Sequence, residues 1–128
     1  MNKLVKTLSI ISVIMLTLDF IFLSANQKMF EIQIADVQRV SLQFRPMGAI
    51  LCYIALVFGL YYFIIKTNRS PLDAFLLGLV INAVYEGTTY SIMKKWKWQI
   101  VVMDTLWGGV LLSLTTIITY KLLKYLNI

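Results

Sequence analysis

Four long apolar stretches, roughly 4–25, 47–65, 71–93 and 100–123, are separated by short polar ones along a chain of 128 residues. Each approaches the ~20 residues that a helix needs to cross a hydrocarbon core of ~30 Å. Within lipid, every backbone N–H and C=O must be satisfied inside the segment, so stretches of this kind form helices. The expected fold is all-α: an integral membrane bundle of four transmembrane helices, a single domain over residues 1–128. Composition points the same way, because 59% of the residues are apolar and 14% charged, against ~25% charged in soluble proteins. A water-soluble chain this short has no interior large enough to hide that much apolar surface.

The net charge of +6 raises the question of a nucleic-acid partner. The twelve Lys and Arg, however, sit between the apolar stretches and form no stripe, which is the placement of membrane-surface anchors. Membrane lipids are therefore the expected partners, with no nucleic acid. There is no histidine, and the one cysteine, Cys52, lies inside an apolar run. A disulfide framework and His-based catalysis are excluded, a zinc site is not expected, and no cofactor, metal or catalytic residue is expected.

Lys3 and Lys6 ahead of an apolar run, with Leu23-Ser24-Ala25 after it, resemble a signal peptide. The run is too long for an h-region and contains Asp19, so a retained helix is expected. In the connection 26–45, Phe30, Ile34, Val37, Val40 and Phe44 recur at helical spacing with Glu31, Asp36, Gln38 and Arg39 between them, which reads as an amphipathic helix lying in the membrane interface. The alternation of Phe30, Ile32 and Ile34 also permits a strand, disfavoured by the cost of an unpaired edge beside lipid. Pro46 and Pro71 suit helix starts, where a missing N–H costs little. Asp73 suits a helix N-terminus. Tyr61, Tyr62, Trp96, Trp98 and Tyr120 fall where aromatic belts lie.

Positive residues do not settle the orientation. Lys3, Lys6, Lys66, Arg69, Lys121 and Lys124 fall on one face, and Lys28, Arg39, Arg45, Lys94, Lys95 and Lys97, equal in number, on the other. Glu31 and Asp36 dilute only the second, which tilts both termini toward the cytoplasm.

Of the six acidic residues, Asp19, Glu86 and Asp104 fall inside the apolar stretches. An ionisable group there costs a few kcal/mol on insertion scales, so it faces the bundle interior and has a partner. In a four-span meander all three lie toward one membrane face. Asn82, Thr89 and Tyr90 stand at i−4, i+3 and i+4 from Glu86, giving one polar stripe. Trp107 and Gly108 follow Asp104 by one turn, and Gly108 and Gly109 permit close helix approach. Glu86 is expected to point inward, within reach of Asp19 or Asp104. The plainer alternative is structural: Asp19 and Asp104 lie five or six residues from their helix ends, close enough to reach the headgroups or pair with Lys94, Lys95 or Lys97.

Tyr85-Glu86-Gly87-Thr88-Thr89, Lys94-Lys95-Trp96 and Asp104-Thr105-Leu106-Trp107-Gly108 together resemble a family of small predicted membrane proteins known as domain of unknown function 2177. Its members show Tyr-Asp-Leu-Thr-Asn, Lys-Asn-Trp and Asp-Met-Ala-Trp-Gly at the same spacing. Leu18-Asp19-Phe20-Ile21-Phe22-Leu23 is similar to the family's Leu-Asp-Leu-Ile-Trp-Leu. Glu86, Gly87 and Thr89 depart from the family's Asp, Leu and Asn, which puts in doubt any need for a particular carboxylate length or for an amide. The resemblance implies a fold and a set of matched positions, and no activity.

The candidate intramembrane cluster is then Asp19, Asn82, Tyr85, Glu86, Thr88, Thr89, Asp104 and Trp107. The leading expectation is a small transporter or channel whose acidic pocket binds a cation, a proton or a cationic small molecule. Four helices enclose little volume, so a pore would lie between protomers of a homo-oligomer or against a membrane-protein partner. A structural or assembly protein organising lipid or a partner is the alternative. A lipid-modifying enzyme ranks last, for want of a nucleophile or a metal-ligand run.

Overall fold

A computed structural model of the chain describes residues 2–29, 32, 46–92 and 96–127. Among these residues the structure is all-helical, with no strand. Helix α1 spans Lys3–Ala25, and Asn2 caps it by accepting the Val5 N–H at 2.9 Å. Helix α2 spans Pro46–Leu60 and runs on into a π-helical turn, Tyr61–Ile65. Helix α3 spans Pro71–Ile92 and helix α4 spans Trp98–Tyr125. At the start of α3, Ser70 Oγ accepts the Asp73 N–H at 3.2 Å, and the Asp73 carboxylate pairs with Arg69 at 3.6 Å. This matches the helix-start role read for Asp73.

Most of the interfacial segment expected over 26–45 lies outside the described residues, as does the choice there between helix and strand; residues 27–29 and Ile32 are helical.

The helices run up and down in alternation, and side-chain contacts fix their register. Gly78 meets Gly108, and Phe75 meets Gly109, so α3 and α4 are antiparallel. Tyr53 and Trp107 both reach Asp19, while Tyr120 reaches Ile64 at the other end, so α2 and α4 are parallel. The apolar core comprises Ile11 and Met15 of α1, Val57 and Leu60 of α2, Ile64 and Ile65 of the π turn, Ala74 of α3, and Leu111 and Leu112 of α4. The outer surface is also apolar: Val13, Phe20, Ile54, Phe58, Leu72 and Val80 are all exposed. An apolar exterior around an apolar core is what a lipid solvent requires.

Three segments are long and apolar enough to cross a membrane: Lys3–Ala25, Met47–Ile65 and Trp98–Tyr125. This is a membrane protein. At 22 residues, or about 33 Å, α3 has the length as well. Its second half carries Asn82, Glu86, Gly87, Thr88, Thr89 and Ser91, which interrupt its apolar run.

Among the described residues, α3 and α4 approach each other at backbone contact. A Cβ at Gly78 would overlap the Gly108 carbonyl and stand 2.9 Å from Gly109 Cα. One at Gly108 would run into the Asn82 side chain and stand 2.8 Å from the Gly78 carbonyl oxygen. Small residues let the two backbones touch, and that contact brings the polar half of α3 against the start of α4.

Candidate functional site

Asp19 lies six residues before the end of α1, Glu86 six before the end of α3, and Asp104 six after the start of α4. At 1.5 Å per residue, all three sit about 9 Å in from the same end of the bundle. The common depth follows from the alternating helix directions.

Asp19 receives two donors from two other helices. Its Oδ1 accepts the Trp107 indole N–H at 2.9 Å, and its Oδ2 accepts the Tyr53 hydroxyl in a short hydrogen bond. One carboxylate thus ties α1 to both α2 and α4. Trp107 is held flat against Phe22, with ring centroids 4.4 Å apart, so its N–H has little freedom to turn elsewhere.

Glu86 is 1% exposed. Its Oε1 accepts the Trp96 indole N–H at 2.9 Å, and its carboxyl neighbours that of Asp104. Asn82 donates its amide N–H to the Asp104 carbonyl oxygen at 2.9 Å. It does not reach Glu86, although the i−4 spacing allows that contact. The amide fits there because Gly108 has no side chain.

A cavity of about 130 Å³ opens among these helices, with Asp19, Asn82, Asp104 and Trp107 in its wall beside Gly78 and Gly108. At ~30 Å³ per water it has room for about four waters, or for one small solute. Glu86 stands behind Asp104 and reaches the cavity through it.

The structure therefore brings together Asp19, Asn82, Glu86, Asp104 and Trp107. It does not bring in Tyr85 or Thr88, both of which are exposed on the outer side of α3. Thr89 donates to the Tyr85 carbonyl of its own helix at 2.8 Å, a local bond that takes the hydroxyl away from the cluster. Of the suggested ion-pair partners Lys94, Lys95 and Lys97, the first two lie outside the described residues.

Two members of the site are absent from the sequence-derived set. Tyr53 gave no signal beyond being a tyrosine in an apolar run. Trp96 read as a belt residue, yet it is half-buried and bonded to Glu86. Tyr120 likewise does more than sit in a belt: its hydroxyl donates to the carbonyls of Ile64 at 3.2 Å and Arg69 at 2.6 Å.

The family model "Predicted membrane protein (DUF2177)" matches residues 4–121. No curated protein and no solved structure matches the chain.

Proposed function

The chain belongs to the predicted membrane protein family DUF2177, and from that premise we propose that it is a four-span transport-type protein whose acidic cluster binds a cation, a proton or a cationic small molecule. The observation that carries this reading is the charge balance of the cluster. Asp19 and Asp104 line one cavity with Glu86 at the same depth beside Asp104, and the donors to these carboxyl groups include a phenol and two indoles, all neutral. Two carboxyl groups in contact are held together only by a shared proton or a cation. Neutral donors leave that requirement open, whereas arginine or lysine would cancel it.

A structural reading competes because of one specific feature: both oxygens of Asp19 already have donors from other helices, as an interhelical clamp would. Flux separates the two. The protein reconstituted in vesicles with an entrapped pH-sensitive dye is expected to pass protons or a monovalent cation. Glu86→Gln keeps an acceptor for Trp96 but removes a charge, and should reduce that flux by at least about tenfold, since a unit charge ~4 Å from a cation is worth several kcal/mol even at moderate screening. An unmodified protein that passes nothing would leave the clamp as the better account.

Four spans would put the 66–70 turn on the side of Lys3, and Lys97 on the opposite side. In a Cys52→Ser background, cysteines at Lys3 and Lys97 should be labelled by an impermeant maleimide from opposite sides of a sealed vesicle. Labelling of both from one side means that α3 does not span.

A further inference from the structure

The far end of the bundle from the acidic cluster has a second cavity, of about 440 Å³, between the first turn of α1, the end of the π turn and the last turns of α4. Its polar wall includes Lys3, Lys66, Asn68 and Tyr120, and its apolar wall includes Leu4 and Leu123. We propose that this cavity binds a phosphate-bearing group, the headgroup of an anionic phospholipid, with the apolar wall receiving the start of the acyl chains. The site is separate from the acidic cluster, and the proposal holds whether or not that cluster transports anything.

Three observations converge on it. The first is unbalanced charge within the cavity. Neither Lys3 nor Lys66 lies within ion-pair distance of a carboxylate among the described residues; Asp73, the acid at this end, is taken by Arg69 at 3.6 Å. The second is that the wall is held in place. The Tyr120 hydroxyl donates to the carbonyls of both Ile64 and Arg69, which pins the turn carrying Lys66 and Asn68 to α4. Asn68 adopts a left-handed backbone, φ 54°, which asparagine tolerates better than most side chains, so the turn folds back sharply over the end of the bundle. The third is the surrounding field. Lys6, Lys121 and Lys124 add positive charge at the same end, where the anionic surface of a bilayer is attracted at close range.

The two lysines also stand where a headgroup lies. Lys3 opens α1, and Lys66 follows the π turn with its ammonium 5.1 Å from the exposed Tyr62 ring centroid. A tyrosine ring at the interface and an ammonium beside it present one apolar and one charged edge to the same lipid. A soluble anion needs only the charged edge. The mixed wall favours a lipid.

The test uses the full chain in a neutral detergent, with thermal unfolding followed by tryptophan fluorescence. Dioctanoyl phosphatidylglycerol should raise the unfolding midpoint saturably, as any ligand of the folded state does, and dioctanoyl phosphatidylcholine should not. Lys3→Gln with Lys66→Gln should shift half-saturation about tenfold or more. Lys121→Gln with Lys124→Gln, which removes the same charge from the same end but outside the cavity, should shift it less than about twofold. Inorganic phosphate is the arm that identifies the source: an equal response at equal concentration assigns the site to free phosphate, and a flat response assigns it to the lipid. Equal shifts in the two double variants reduce the effect to general surface charge and overturn the site, as does an equal response to the two lipids. Should the cavity variant fail to fold, Lys66→Gln alone is read against Lys124→Gln by the same criterion.

Discussion

Gly78→Ala is expected to destabilise the bundle by about 3 kcal/mol, the upper end of what an overpacked contact costs. Most such substitutions are absorbed by a flexible side chain moving aside. Here the new methyl meets the Gly108 carbonyl and, at 2.9 Å, the Gly109 Cα, so a whole helix has to shift. Any shift that relieves the clash also pulls Asn82 off the Asp104 carbonyl, now 2.9 Å away, and adds that loss to the strain. Gly87→Ala is the control. It lies on the same helix with nothing within 4 Å of the added carbon, and it should be neutral or stabilising by up to about 1 kcal/mol, the helix-propensity gain of alanine over glycine. Titration with sodium dodecyl sulfate from a mild detergent, followed by tryptophan fluorescence, measures both. Similar midpoints for the two variants would show that the glycine contact is not as close as described.

Asp19→Ala should cost a similar amount, about 2–4 kcal/mol, by a different route. It leaves the Tyr53 hydroxyl and the Trp107 indole N–H without their acceptor, and an orphaned donor away from water costs about 1–3 kcal/mol. Trp107 is stacked on Phe22, so it is poorly placed to find another partner. Asp19→Asn keeps one acceptor oxygen and should lose about half as much. Trp107→Phe removes a donor together with the bond, so the double variant Asp19→Ala/Trp107→Phe should be less destabilised than the sum of the singles. Strict additivity would mean that the bond contributes nothing.

Much of this architecture was legible in the sequence. Apolar runs of membrane length gave four helices, and carboxylates too costly to face lipid gave the residues at the heart of the cluster. What could not be read was the supply of donors. Tyr53 is 34 residues from Asp19, and no local pattern distinguishes a tyrosine that reaches another helix from one that faces lipid. Trp96 lies next to the start of α4, where a belt residue and a residue folded back on Glu86 have the same neighbours in sequence. The family resemblance marked Tyr85 and Thr88 as matched positions but carried no direction. On a helix they lie about 100° and 200° around from Glu86, so they fall away from its face. The polar stripe that makes α3 matter also interrupts its apolar run, which is why α3 is not among the three helices long and apolar enough to cross a membrane. The π turn at Tyr61–Ile65 has no residue signature, and yet its Ile64 carbonyl anchors Tyr120.

The hydrogen bonds of Asp19 also have an order in time. The helix that carries it is made before both of its donors: Tyr53 follows 34 residues later and Trp107 follows 88 residues later. At ~5–20 residues per second, the carboxyl group waits several seconds for its second donor during synthesis. Until Tyr53 is made, α1 carries a polar group with neither of these donors, and until Trp107 is made it has only one of them. A position about 9 Å from the helix end lets the side chain stay near the headgroups or the insertion machinery until α4 emerges. Of the two donors that tie α1 to its neighbours, the one on α4 is therefore the later to become available.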